Sequence, residues 1–330
     1  MADMQEQTIA EAVRDGLAEI LSGDPLTFLI GEDIGKAGGV FNVYDGLLDE
    51  FGPDRVMNSP ISEAGIAGLG VGAAMAGMHP IVDIMFGDFM TLAMDQIVNQ
   101  AAKMYYMTGG QVSVPLVIRT TLGAGRSSGA QHSQSLHAWL AHIPGVKVVV
   151  PSTPADAKGL LKTAVRDPNP VIIFEDKMMY KLKGPVPTHE FSIPFGVADI
   201  KRTGKDVTIV ATSSMVHVAL KAAETLAQEN ISAEVVDPRT IKPLDTQTIL
   251  ASVKKTHRAV VIDEGYRSFG ITGEIASLIG DEAFDYLDAP VKRIGAEDVP
   301  VPLAPGLEFS TIPDEARLVQ TVKSLFGRRW

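Results

Sequence analysis

Short runs of apolar, β-branched residues recur along the chain, separated by stretches in which apolar residues return every three or four positions. In the first half "LTFLIGE" (Leu26 to Glu32), "PIVDIMF" (Pro80 to Phe86), "VPLVIRT" (Val114 to Thr120), "VKVVVPS" (Val146 to Ser152) and "PVIIFED" (Pro170 to Asp176) read as strands. They are nearly continuously apolar rather than alternating, which predicts strands buried on both faces: a parallel sheet clothed by helices. The opening segment sets Ile9, Val13, Leu17 and Ile20 on one helical face. "AMDQIVNQAAKMYYM" does the same with Met94, Ile97, Val98, Ala101, Ala102 and Tyr105. From about Lys177 neither period is sustained, and "KMMYKLKGPVPTHEFSIPFGVADIKRTGK" reads as a connection. Alternation resumes with "DVTIVAT" (Asp206 to Thr212), "SAEVVD" (Ser232 to Asp237), "RAVVIDE" (Arg258 to Glu264) and "PVKRIGA" (Pro290 to Ala296), interleaved with helical stretches. The expectation is an α/β domain over residues 1–184, a linker over 185–205 and a smaller α/β domain over 206–330.

A length of 330 residues suits two domains at roughly 150 residues each. The net charge of -11 argues against a nucleic-acid or anionic-membrane surface, which needs clustered Lys and Arg; only the tail "FGRRW" is locally basic. Cysteine is absent, which excludes disulfides, thiolate catalysis and Cys-ligated zinc or iron–sulfur sites. The start has no basic segment followed by an apolar one, and no run approaches the ~20 apolar residues of a membrane span. A cytoplasmic protein is expected.

One acid stands out. In "MNSPISEAGIAGLGVGAAMAGMHP" Glu63 heads a run of Gly, Ala and aliphatic residues, and no other side chain from Val56 to Val82 carries a formal charge. Ser62 as an N-cap with Glu63 in the first turn is the plain explanation, since the helix dipole favours an acid there by ~0.3–1 kcal/mol. Against it, Gly65, Gly68, Gly70, Gly72 and Gly77 weaken the helix, each interior Gly by roughly 0.5–1 kcal/mol relative to Ala. A helix accepts that when something must approach its backbone closely. A carboxyl in the resulting apolar pocket can hold a proton near neutral pH and donate it to a ring nitrogen.

Other motifs are weaker. "RTTLGAGRSSGAQHSQSLHAW" offers a Gly/Ser loop after a strand, but its Gly123, Gly125, Gly129 spacing is not the dinucleotide fingerprint. "GEDIGKA" (Gly31 to Ala37) ends in Ala where a P-loop needs Ser or Thr, and reads as a turn. His132, His137 and His142 recur every five residues, a poor arrangement for a shared metal. His132 in its polar loop is either a solvated histidine or an acid–base group. "AVRDPNP" (Ala164 to Pro170) is a turn whose oxygens could also hold a hard cation. Asp206, Asp237, Asp263 and Glu264 sit at strand ends, where loop and cap roles are the ordinary expectation.

The segments "PISEAGIAGLGVGAAMAGMHPIVDIMFGDFMTLAMDQIVNQAAKMYYMTGG", "GAQHSQSLHAWLAHIPGVKVVVPSTPADAKGLL" and "VVDPRTIKPLD" resemble the β subunit of the thiamine-diphosphate-dependent first component of 2-oxo acid dehydrogenase complexes, and the likeness extends over essentially the whole chain. Pyruvate and acetoin dehydrogenase β subunits look most similar; a branched-chain 2-oxo acid dehydrogenase is the alternative. The resemblance implies a transketolase-like fold, a pyrimidine-binding α/β domain followed by a transketolase C-terminal domain. It implies that Glu63 contacts the cofactor's aminopyrimidine and drives its tautomerisation, that Phe89 packs on that ring with Met85 nearby, and that His132 faces substrate. A structural potassium site is implied at Leu116, Ala164, Val165, Asp167 and Asn169. Leu92 and Gly87 depart from some relatives, and His137 has no assigned role.

The Gly-Asp-Gly and Asn-Asn elements that hold the diphosphate through Mg²⁺ in such enzymes do not occur here; "FGDF" lacks the second Gly. Mg²⁺ requires near-octahedral oxygen ligands. An α subunit is therefore expected to hold that half of the cofactor in an α₂β₂ heterotetramer, with a lipoyl-bearing acyltransferase as further partner. The reaction implied is carbon–carbon cleavage beside the carbonyl of a 2-oxo acid or acetoin, with the acyl unit passing to lipoamide. A nicotinamide-dependent oxidoreductase is disfavoured by the missing fingerprint, and a purely scaffolding subunit would not need Glu63, Phe89 and His132 together.

Overall fold

Thr8 starts the first helix, Ile9–Gly23, with a capping box: the Glu11 N–H donates to its hydroxyl (3.2 Å) and its own N–H donates to the Glu11 carboxylate (2.7 Å). Ile9, Val13, Leu17 and Ile20 form the buried face of that helix, as their spacing predicts. The computed structural model describes residues 3–327; the last three residues of the basic tail lie outside the described residues. The chain divides into two compact units. One comprises the residues up to Leu122 together with Trp139–Phe195, the other Gly123–Ala138 together with the residues from Gly196 onward.

In the first unit six parallel strands lie in the spatial order Lys147–Val149, Val171–Asp176, Val117–Leu122, His79–Ile84, Thr27–Glu32 and Val56–Ser59. Val171, Val117, Ile81, Leu29 and Val56 are directly opposite one another across five of these strands and all join one buried cluster with Leu17, Leu160 and Leu161 of the covering helices. Ile172, Ile118, Val82 and Ile30, one residue along and so on the opposite face, are buried as well, which is the two-sided burial that the unbroken apolar runs required. The Val56–Ser59 strand was not foreseen, since "VMNS" is short and only half apolar. The Glu63–Met75 helix packs on the His79–Ile84 strand at Gly70, where a Cβ would stand 2.5 Å from Val82 Cγ2. Gly65 and Gly72 lie on the exposed side of the same helix.

The single long helix expected over "AMDQIVNQAAKMYYM" is instead two short α-helices, Met90–Asp95 and Ala102–Met107, joined by a π-helical turn at Gln96–Ala101. The turn takes in one extra residue and rotates the helix after it, so Ile97, Ala101 and Ala102 are buried while Tyr105, counted on the same stripe, is exposed.

The second unit holds five strands in the order Lys292–Ala296, Ala259–Tyr266, Val207–Ala211, Ala233–Asp237 and Asp199–Arg202, parallel except the last. Val207, Ile209, Val235, Val260 and Ile262 are fully buried beneath the Met215–Gln228 and Glu315–Ser324 helices. The passage read as a connection is not structureless: Lys183–Pro187 pairs antiparallel with Met4–Thr8, and Asp199–Arg202 is the antiparallel strand just named. Both are short and partly exposed, and the first carries two prolines, so neither shows a sustained apolar run.

Candidate functional site

In open parallel sheets ligands gather at the carboxyl ends of the strands. In the first unit Glu32 ends the strand Thr27–Glu32, Glu63 opens the helix after Val56–Ser59, and Met85 directly follows His79–Ile84. Phe89 lies in the short turn that comes next, at Gly87–Phe89. Glu63 is 7% exposed, and no described residue donates a hydrogen bond to its carboxylate. Ser62, the expected cap, makes no side-chain cap bond. Capping therefore does not explain this acid. Its neighbour in the field is Glu32, whose carboxyl is pushed up by burial first and then by the charges of Asp33 and Glu63. Glu32 was hidden in the sequence inside a passage that reads as a turn.

Met85 is fixed by its carbonyl, which accepts from the Thr121 hydroxyl (3.0 Å). Gly87 sits so close to the Thr121 carbonyl that a Cβ there would be 2.6 Å away, so the turn has no room for a larger residue without a shift. Half-buried Phe89 ends an aromatic series: its ring meets Phe86 edge-on at 5.6 Å, Phe86 meets Phe41 at 6.3 Å, and Phe41 stacks on Tyr180 at 4.6 Å. These side chains fit a flat, partly polar heterocycle: an apolar face, a soft thioether and a buried carboxyl in want of a partner.

Behind Met85 lies a buried polar network. Arg119 clamps Glu175 with both Nε (3.0 Å) and Nη2 (2.6 Å), and its Nη1 donates to the Tyr44 hydroxyl, which donates in turn to Asp83. The Tyr180 hydroxyl donates to Glu175 at 2.7 Å. Burial pushes the Asp83 carboxyl up to about 6 although Arg119 and Tyr44 pull it down. A raised carboxyl favours the folded state while protonated, so its destabilising contribution is absent below the unfolded value near 4 and complete above about 6. The limit is roughly 3 kcal/mol, less whatever water screens through the 17% of the side chain that is exposed. Asp83→Asn keeps the acceptor for Tyr44 and removes the titration. Urea unfolding at several pH values should show the wild-type-minus-variant stability falling between pH ~4 and ~7; a flat difference would contradict the assignment.

At the suggested cation site the oxygens already have partners. The Leu116 carbonyl accepts from the Val171 N–H (2.9 Å) and the Ala164 carbonyl from the Asp167 N–H (3.1 Å). Asp167 takes the Lys147 ammonium at 2.7 Å and the Asn169 N–H at 3.0 Å. Val165 and Asp167 line a cleft of about 690 Å³.

In the second unit His132 is half-buried on the Gly/Ser loop, its N–H donating to the Gly129 carbonyl (3.3 Å). His137, unassigned by sequence, is buried with Nε2 3.0 Å from Asp263, which also accepts from the Gly265 N–H (2.8 Å) and from the Thr212 hydroxyl. Burial alone would push the Asp263 carboxyl up, but the His137 charge and these donors outweigh it and hold it below the usual range. Asp206 does cap a loop, accepting from the Ser232 N–H (2.7 Å), but Asp263 and Glu264 are more than caps: Glu264 accepts from the Ala124 N–H (2.6 Å).

The order of domains matches known proteins. Family models for the transketolase pyrimidine-binding domain and the transketolase C-terminal domain match residues 5–183 and 196–318. The chain is 48% identical over 318 residues to the pyruvate dehydrogenase E1 component subunit beta of Rickettsia conorii, covering 96% of this chain and 98% of that one. It is 46% identical over 332 residues to the acetoin:2,6-dichlorophenolindophenol oxidoreductase subunit beta of Bacillus subtilis, covering 97% of each. A mitochondrial pyruvate dehydrogenase E1 subunit beta-1 of rice is 47% identical over 326 residues, covering 98% of this chain and 87% of that one. Among solved structures, a split-gene transketolase described as an inactive β4 tetramer matches with a TM-score of 0.80 at 25% identity, covering 98% and 99% of the two chains. The fold is transketolase-like. This chain belongs to the family of thiamine-diphosphate-dependent E1 β subunits of the pyruvate and acetoin dehydrogenase type, and so to their oxidoreductases.

Proposed function

We propose that the chain works as the β subunit of an α₂β₂ pyruvate or acetoin dehydrogenase, with Glu63, Met85 and Phe89 receiving the aminopyrimidine of thiamine diphosphate and His132 facing the substrate. The observation that carries this reading is the largely buried Glu63 carboxyl at the carboxyl end of the sheet, to which no described residue donates a hydrogen bond. The bound cofactor supplies a carbon nucleophile and an electron sink for cleavage beside a carbonyl. Glu63 holds and moves a proton at a ring nitrogen, with Glu32 as the acid beside it. Phe89 and Met85 orient the ring and exclude water, and His132 donates to the developing charge on the substrate.

The other half of the cofactor needs an α subunit. In the Gly/Ser loop the amides of Ala124, Gly125 and Ser127 are taken by the chain's own carboxylates, Glu264 and Glu308. No group of three metal-ligating acids or histidines occurs among the described residues. The exposed small face of the Glu63–Met75 helix suits a subunit contact. The acyl acceptor in this reading is lipoamide on an acyltransferase. Domain limits of 1–184 and 206–330, joined by 185–205, and a cytoplasmic location belong to the same proposal; no helix among the described residues is long and apolar enough to cross a membrane. Co-expression with the α subunit, followed by an artificial-acceptor assay on pyruvate, acetoin and branched 2-oxo acids, tests it. Tight cofactor binding and turnover by this chain alone would overturn it.

The potassium reading is a separate arm. Each carbonyl of Leu116, Ala164 and Val165 has a second lone pair to offer a cation, with Asp167 and Asn169 completing the set. Replacing Na⁺ by K⁺ at constant ionic strength should then raise the Tm, and the gain should vanish in Asp167→Ala; equal Tm values in the two salts would remove the site.

A further inference from the structure

The Gly/Ser loop has positive φ at every second residue: Gly123 (98°), Gly125 (101°), Ser127 (54°) and Gly129 (76°). Alternation of this kind turns successive amide N–H groups towards one concave side, a shape that takes an anion. Here the anions are the protein's own. Fully buried Glu308 accepts from the N–H groups of Gly125 (2.7 Å) and Ser127 (2.8 Å) and from the Ser127 hydroxyl (3.2 Å). Glu264 accepts from the Ala124 N–H and, with its other oxygen, from the Ser214 hydroxyl (3.1 Å). At the far end His137 is tied to Asp263, and the loop closes tightly there: a Cβ on Gly265 would stand 3.3 Å from His137 Cε1 and 2.6 Å from Asp263 Oδ2.

We propose that Glu308, Glu264 and the His137–Asp263 pair are positioning residues that hold the loop carrying His132 as a fixed arch, so that the C-terminal unit sets the geometry of the substrate-facing histidine. The inference rests on the assignment of His132 made above. The physical argument is reciprocity. A carboxylate as deeply buried as Glu308 is tolerated only while donors satisfy it, and the described donors to it all come from the loop. Loop and carboxylate therefore keep each other in place, and Ser127 is held at a φ that a non-glycine residue seldom adopts.

The test uses the assembled α₂β₂ enzyme with Glu308→Ala and with Glu308→Gln, which keeps the shape and one accepting oxygen. Hydrogen exchange of residues 123–138 and steady-state kinetics are read together. The alanine variant should exchange these amides at least tenfold faster and lose about 10- to 10²-fold in kcat with KM within about twofold, because small misplacement of a reacting group acts on the chemical step. The glutamine variant should fall between it and wild type; if the alanine variant does not fold, the glutamine variant decides. Faster exchange with unchanged kcat, or unchanged exchange in both variants, would overturn the proposal. Unchanged turnover in His132→Ala with the loop still protected would instead strike the assignment of His132 and leave the anchoring intact.

Discussion

Glu63→Gln in the assembled enzyme should lose about 10²- to 10⁴-fold in turnover, the range that a positioned acid–base group supplies, while the α₂β₂ assembly forms normally. The amide keeps the size and one acceptor of the carboxyl but cannot exchange a proton with a ring nitrogen. The exposed Ser62 hydroxyl makes no cap bond, and the stabilising duty left to this acid is its first-turn interaction with the helix dipole, at ~0.3–1 kcal/mol too small to mimic the effect. The measurement is an artificial-acceptor assay alongside native mass determination. Turnover near wild type would refute the role of Glu63, and failed assembly would shift its importance to the subunit contact.

Arg119→Met is expected to be the most damaging single change to the fold. Arg119 is 1% exposed and neutralises Glu175, whose other described donor is the Tyr180 hydroxyl. Removing one member of a buried ion pair typically costs about 3–5 kcal/mol, because the remaining charge is left without compensation. Replacing Glu175 by Gln in the same chain should recover much of that loss. Urea unfolding of the two variants settles it: a single variant less than about 1 kcal/mol weaker than wild type would show that the guanidinium is dispensable.

The parallel core was legible because a strand buried on both faces must be apolar throughout, and "LTFLIGE" and "PVIIFED" are. Glu63 was legible for a related reason: a lone charge in an uncharged stretch is conspicuous. Glu32 and Arg119 were not, because the group that sets the role of each is far along the chain, the like charge of Glu63 for one and the Glu175 carboxylate for the other. Sequence spacing carries no information about contacts of that range. The pairing of His137 with Asp263, each noted only singly, and the role of Glu308 were hidden likewise, since 126 residues separate the first two. The glycines at 123, 125 and 129 do not have the spacing of a dinucleotide fingerprint, yet they do form a concavity, and its occupant comes from the same polypeptide.

The surplus residue in the π-helical turn at Gln96–Ala101 has a further effect. By shifting the phase of Ala102–Met107 it swings Tyr105, Tyr106 and Met107 outward, with Tyr106 87% and Met107 70% exposed. Wound as regular α-helix with the same residues, the segment would instead carry Tyr105 round to the buried stripe of Ile97, Ala101 and Ala102. That single insertion thus decides whether this edge of the subunit offers aromatic rings to its surroundings.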